Sequence, residues 1–178
     1  VTERAAGDDA WPSGLSGDDR DWLARAIEES RRCPPSATAF SVGAIVVGPD
    51  GAELARGYSR EGDEKVHAEE SALAKLADAD PAAAVALSGG QRVGRVPPGS
   101  TVYSSLEPCS QRASRPHTCA ELIRTAGVAR VVFAWREPAI FVAGDGARVL
   151  ADAGVTVLQL PELAAEVADI NAHLLARG

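Results

Sequence analysis

Methionine is absent from the chain, and aromatic residues are scarce: three tryptophans, two tyrosines and three phenylalanines among 178 residues. Proteins that hold single-stranded nucleic acid need a basic groove and stacking aromatics. With a net charge of −7 and no long basic run, a global grip on DNA or RNA is not expected, although a local basic patch is compatible with the sequence. No apolar stretch approaches the length that crosses a bilayer. The first residues, VTERAAGDDAWPSGLSGDD, lack the apolar core of a secretory signal. These absences point to a cytoplasmic protein with no membrane contact. Cysteine is sparse as well. Cys33, Cys109 and Cys119 form an odd set, which reads as metal ligands, a nucleophile or buried hydrophobes rather than a disulfide framework.

What is present is enough for one domain with a hydrophobic core of its own. Residues 1–16 are polar and small and are expected to be flexible, which leaves 17–178 as a single domain. A helix is predicted through DDRDWLARAIEESRR, with Ser16 or Asp18 as its cap and the prolines of CPPS as its stop. SVGAIVV (41–47) and ELARGY (53–58) read as a hairpin around the turn GPDG. After them come a helix in HAEESALAKLA, a strand in TVYSSL (101–106), a helix at 118–127 and a strand at 128–135. A short helix at 144–154, a strand at 155–160 and an amphipathic helix from Pro161 close the chain. The alternation predicts a three-layer α/β/α sandwich with about five strands and helices on both faces. Residues 78–100 fit no element and are long for a connection, which makes them a functional lid or a surface excursion.

Three metal-binding side chains fall at the ends of elements. His67 opens one helix, Cys109 follows Glu107 and Pro108 directly after a strand, and Cys119 begins another helix. In TCAE, Thr118 and Glu121 have the spacing of a capping box, so Cys119 is the first helical residue. A thiol there faces unpaired N–H groups, which favours the thiolate that metals bind. One imidazole and two thiolates suit Zn²⁺, and three protein ligands leave a tetrahedral ion one position for solvent. Glu69, two residues beyond His67, is placed to act as general base and then general acid.

Singly these signals are weak, but their order matches the zinc deaminases of nucleobases, with H-x-E followed by P-C-x-x-C. One departure is plain: nine residues separate Cys109 from Cys119 where that pattern has two. TVYSSLEPCSQRASRPHTCAELIRTAGVARVVFAWREP, followed by VAGDGARVLADAGVTV and preceded by GYSREGDEKVHAEESAL, resembles the deaminase domain of bifunctional riboflavin-biosynthesis enzymes. That domain has a similarly long interval between its cysteines. The resemblance covers about residues 19–160 and implies membership of the cytidine-deaminase-like superfamily, with a mixed five-stranded sheet between helices. It also implies zinc ligation by His67, Cys109 and Cys119, proton transfer by Glu69, a nucleobase-like small-molecule substrate and a homo-oligomer, dimer or tetramer. The differences from the riboflavin enzymes lie where substrate is bound. The Asn-Pro pair before Val-Gly is replaced in TAFSVGA, the Asp-Pro-Asn-Pro after the fourth strand by EPAI, and a second histidine by Ser71.

Other candidates have two readings each. Arg112 and Arg115, between the cysteines, could grip a substrate phosphate or be solvated loop residues. Trp135 and Phe40 could line the substrate pocket or pack in the core, and Glu137 stands where the riboflavin enzymes have aspartate. His117 could replace a cysteine as ligand, though the capping geometry favours Cys119. Cys33 reads as a buried small hydrophobe, or as a fourth ligand that would close the site into structural zinc. The expected activity is zinc-dependent hydrolytic deamination of an amino-substituted pyrimidine, as base, nucleoside or nucleotide, cytosine-like or a riboflavin precursor. The alternatives are a non-enzymatic structural-zinc protein, a purine deaminase acting for example on guanine, or a deaminase of nucleic acid.

Overall fold

The computed structural model describes residues 15–136 and 145–175. Most of the N-terminal segment expected to be flexible, together with Glu137, lies outside the described residues. Ser16 is the cap of helix α1 (Gly17–Ser30): its hydroxyl accepts from the Asp19 N–H, and the Asp19 carboxylate accepts from the Ser16 N–H at 2.7 Å. Strands β1 (Gly43–Val47) and β2 (Glu53–Tyr58) form the expected hairpin and lead into α2 (Ala68–Ala79). The segment 78–100 contains two strands that the sequence did not indicate, β3 (Ala84–Ala86) and β4 (Arg92–Gly94), paired as a separate antiparallel hairpin. Then β5 (Thr101–Leu106), α3 (Cys119–Ala126), β6 (Arg130–Trp135), α4 (Gly146–Asp152) and β7 (Thr156–Gln159) alternate as predicted.

The main sheet has the order β2-β1-β5-β6-β7. β1 is antiparallel to both of its neighbours, whereas β5, β6 and β7 are parallel. β1 and β5 are buried along their whole length, and β6 at its four central residues, because both faces of the sheet are covered. Val46, Val102, Val131, Phe133 and Val157 pack with Leu73 of α2, Leu122 and Ile123 of α3 and Leu150 of α4. Their strand neighbours Ile45, Val47, Tyr103, Val132 and Leu158 pack on the other side, with Leu23 and Ile27 of α1 and with Val167. The period of two divides the strands between two helical layers, which is the expected three-layer sandwich.

The last helix is not continuous. A 3-10 turn at Pro161–Leu163 leads into α5 (Ala164–Ile170) and α6 (Ala172–Leu175), with a break at Asn171. The fully buried Asn171 amide accepts from the Ser41 N–H at 2.7 Å and donates to the Ser41 carbonyl at 3.1 Å. This contact also accounts for β1 starting at Gly43 rather than at Ser41: the Ser41 backbone is bonded to a side chain instead of a ladder.

Candidate metal centre

Strand direction assembles the site. Since β1 runs against both β2 and β5, the carboxyl ends of β2, β5 and β6 share one edge of the sheet with the amino end of β1. Crevices at the carboxyl ends of strands are the usual ligand sites of α/β sheets. His67 and Glu69 follow β2, Cys109 follows β5, and Phe40 precedes β1. Gly57 lets α2 come down onto β2, because a Cβ there would lie 2.6 Å from both the Ala68 carbonyl oxygen and the Ala72 nitrogen. Any side chain at position 57 would therefore lift the turn that carries His67.

The three donors meet. His67 Nδ1 lies 3.6 Å from Cys109 Sγ and 3.4 Å from Cys119 Sγ, and all three ligand atoms fall within 4.8 Å of one another. Zinc–nitrogen and zinc–sulfur bonds of ~2.0 and ~2.3 Å in a tetrahedron put nitrogen and sulfur about 3.5 Å apart. The donor set thus fits a zinc ion in both chemistry and spacing. Cys119 is the first residue of α3, Thr118 caps the helix by accepting from the Glu121 N–H, and the Cys119 N–H points at Cys109 Sγ at 3.4 Å. The Cys119 thiol and the nearby His67 imidazole outweigh burial and draw the Cys109 thiol down to about 4. The same hydrogen bond, with burial and the Cys109 and Glu69 charges, pushes Cys119 up. A metal held by these donors would require both sulfurs as thiolates.

Glu69 is 3% exposed and accepts from the Ser104 hydroxyl of β5 at 2.9 Å. Burial, followed by the charge of Cys109, raises its carboxyl above the ordinary range; His67 and the Ser104 bond offset this in part. A cavity of about 340 Å³ opens onto His67, Glu69 and Cys109. Phe40, Val42 and Leu106 form its apolar wall, and Arg60 and Lys65 are its cations. The volume is that of a small-molecule site.

The chain belongs to the cytidine and deoxycytidylate deaminase family. The family model, which describes the zinc-binding region, matches residues 16–135 and so spans both sides of the donor cluster. The diaminohydroxyphosphoribosylamino-pyrimidine deaminase of Schizosaccharomyces pombe is 34% identical over 139 residues, covering 78% of this chain and 31% of that protein. The riboflavin biosynthesis protein RibD of Escherichia coli is 34% identical over 143 residues, covering 78% of this chain and 33% of its own. This deaminase-family chain thus spans about a third of the length of these relatives. Among solved structures, Acinetobacter baumannii RibD superposes with a TM-score of 0.67 at 28% identity, over 89% of this chain and 39% of that one.

The remaining candidates divide. Phe40 lines the cavity, but Trp135 is not among the lining residues; it packs edge-on against Phe40 with ring centroids 5.9 Å apart. Arg112 and Arg115 are not among the lining residues either, and both are paired with carboxylates. The Arg112 side chain is 3% exposed, donating to the Glu70 carboxylate at 2.8 Å and to the Lys65 carbonyl. Arg115 pairs with Asp63 at 2.6 Å and lies 3.4 Å from Glu70. His117 is bonded through Nε2 to the Ser88 hydroxyl at 2.8 Å. Cys33 is outside the donor cluster; its thiol donates to the Val42 carbonyl, and burial raises it. Cys33, whose alternative reading was a fourth ligand that would close the site, is thus bonded to a carbonyl outside the donor group.

Two residues of the cavity region carried no signal in the sequence. Ser104 reaches Glu69 across 35 positions of chain, so local pattern could not pair them. Arg60 is 9% exposed and adopts φ 65, a left-handed backbone that costs a non-glycine residue roughly 1–2 kcal/mol. Its guanidinium donates to the carbonyls of Pro34 and Phe40 and to the Ser41 hydroxyl, and among the described residues no carboxylate pairs with it. A strained backbone and a buried cation without a counter-ion, both at the edge of a cavity, are the marks of a binding site.

Proposed function

We propose that this chain is a zinc-dependent hydrolytic deaminase of an aminopyrimidine that carries a phosphate. The observation that carries the deaminase reading is the convergence of His67, Cys109 and Cys119 beside a buried carboxyl, Glu69, with His67, Glu69 and Cys109 lining one cavity. Zinc, when bound by these three donors, supplies a Lewis acid that lowers the pKa of water from ~15.7 to roughly 7.

The protein's own residues supply the rest. The apolar wall of Phe40, Val42 and Leu106 offers a nonpolar surface against which a planar ring can lie. Glu69 takes the proton released as oxygen adds to the ring carbon that bears the amine, and returns it to the departing nitrogen. The carbon–nitrogen bond breaks, ammonia leaves, and the proton still on the added oxygen passes to the adjacent ring nitrogen, so the ring keeps a carbonyl. Burial makes Glu69 more basic than a solvated carboxylate, which suits a group that must both accept and give a proton near neutral pH. Ser104 holds one carboxylate oxygen and thereby fixes which oxygen faces the substrate.

The phosphate is inferred from the cavity's cations. Arg60 and Lys65 face it, and among the described residues neither pairs with a carboxylate, whereas Arg112 and Arg115 are both tied down. An anionic substituent would complete the coordination of a buried guanidinium that has only carbonyl and hydroxyl partners. The name of the fission-yeast relative, which specifies a phosphoribosylamino-pyrimidine, accords with this chemistry. The test is ammonia release by zinc-loaded protein from aminopyrimidines and aminopurines, each offered as base, nucleoside and nucleotide. Preference for a phosphorylated aminopyrimidine is the expected result. Equal turnover of nucleoside and nucleotide would overturn the phosphate, and no ammonia from any member would overturn the deaminase.

A further inference from the structure

The β3–β4 hairpin lies outside the cavity and supplies none of the donors, yet its tip is docked on the two residues that precede Thr118 and Cys119. Three separate contacts make this junction. The Ser88 hydroxyl bonds the His117 ring at 2.8 Å. Gly89, at φ 68, sits so close to Pro116 that a Cβ would lie 2.6 Å from its Cγ. Gln91, 3% exposed, brackets His117: its amide oxygen accepts from the His117 N–H at 3.0 Å, and its amide nitrogen donates to the His117 carbonyl at 3.2 Å. The same nitrogen donates to Glu70 Oε1 at 3.2 Å.

Glu70 links this bracket to the other two donors. It is the third residue of α2, and its second oxygen faces the His67 N–H at 3.5 Å and accepts from Arg112, three positions beyond Cys109. The segments carrying His67, Cys109 and Cys119 are therefore all referred to one carboxylate, and Gln91 is the connection to Cys119. We propose that Gln91 is a positioning residue for Cys119, and that the β3–β4 hairpin serves as the buttress that sets how tightly the His67–Cys109–Cys119 centre holds its metal. The inference rests on the reading of that trio as a zinc site. Partners that orient metal ligands typically change metal affinity by ~10–100-fold when removed. Gln91 is a cleaner probe than Glu70, whose removal would leave the Arg112 guanidinium buried and unpaired.

The experiment measures zinc affinity by chelator competition, alongside the thermal midpoint of the metal-free protein. Gln91→Leu is expected to weaken zinc binding at least tenfold. Gly89→Ala, which drives a methyl group into Pro116, should weaken it in the same direction and provides the measurement if Gln91→Leu fails to fold. Arg92→Ala, on the same hairpin but facing Asp78, removes only an exposed ion pair and should leave affinity within threefold of wild type. If Gln91→Leu and Gly89→Ala lower the midpoint while zinc affinity stays at the wild-type value, the hairpin is merely structural and the proposal fails. If Arg92→Ala costs as much affinity as Gln91→Leu, the effect is general loosening and the proposal again fails. Absence of zinc binding in the wild type would sink the metal centre itself, a different result from either.

Discussion

Replacing Glu69 by glutamine separates the proton carrier from the scaffold around it. The two side chains have the same shape, and the glutamine carbonyl can still accept from the Ser104 hydroxyl, now at 2.9 Å from the carboxylate. The substitution also removes a charge from a position where burial disfavours it, so the fold should lose nothing. What is lost is proton transfer, which typically contributes 10²–10⁴-fold to a rate, or ~3–5 kcal/mol. The upper half of that range applies here. Glu69 is 3% exposed, and Ser104, its hydroxyl neighbour, cannot act as a base at neutral pH. Steady-state and single-turnover ammonia release should therefore show kcat at least 10³-fold lower with KM little changed, the pattern of a group that acts in the transition state. Zinc content should remain at the wild-type value, because the three donors are untouched. Turnover within tenfold of wild type, with zinc retained, would remove Glu69 from the mechanism. Loss of zinc along with turnover would instead make Glu69 a ligand and would refute the three-donor centre.

Lys65→Ala removes an exposed cation at the cavity, where one charged contact is worth about 1 kcal/mol; KM for a phosphorylated substrate should rise roughly fivefold while the matching nucleoside is unaffected. An equal change for both would dissociate Lys65 from the phosphate. Arg112→Ala breaks a buried ion pair for about 3 kcal/mol, near the low end for such pairs because Arg115 and Gln91 still reach Glu70, and should lower the melting midpoint by roughly 6–12 °C. Its KM for a phosphorylated substrate should not move, and a selective rise would restore Arg112 as a phosphate ligand. On the opposite face of the sheet, Asp19 accepts from both Arg130 nitrogens and from the Tyr103 hydroxyl. Burial alone would raise the Asp19 carboxyl, but these bonds hold it well below the usual carboxylate range. Its contribution to stability is thus present above the unfolded value of about 3.9 and is lost as pH falls toward the folded one. The gap in thermal midpoint between wild type and Asp19→Asn should be full near neutrality and narrow progressively as pH falls below about 4 toward the folded value, and a gap that stays constant across that range would contradict this account.

The parts of this molecule that were legible in its sequence are those whose role follows from residue type and local position. GAIVV and RVVFAW fit buried strands because they are short apolar runs rich in β-branched and aromatic residues and bounded by turn signals, and TCAE announces a helix start because its side chains cap locally. His67, Cys109 and Cys119 were legible through their order: each is weak alone, but H-x-E at a helix start, Pro-Cys after a strand and a helix-initial cysteine together match a zinc-deaminase pattern. The illegible parts depend on distant partners. The β3–β4 strands are three residues each, built largely of alanine, valine and glycine, and are held by docking rather than by their own pattern. Arg112 looked like a ligand because its charge is visible in the sequence, whereas the partner that occupies it, Glu70, is 42 positions away. Arg60 shows the converse: an ordinary arginine becomes notable only when the fold buries it with no carboxylate partner among the described residues. Chemistry-bearing groups and the residues that orient them are therefore recorded differently in a sequence, the first by identity and the second only by long-range contact. A comparison restricted to the H-x-E and Pro-Cys motifs reads the former alone. Changes at Gln91, Ser104 or Arg60 would leave every motif intact while altering metal retention, proton delivery or substrate charge, so relatives with identical donors need not share a substrate.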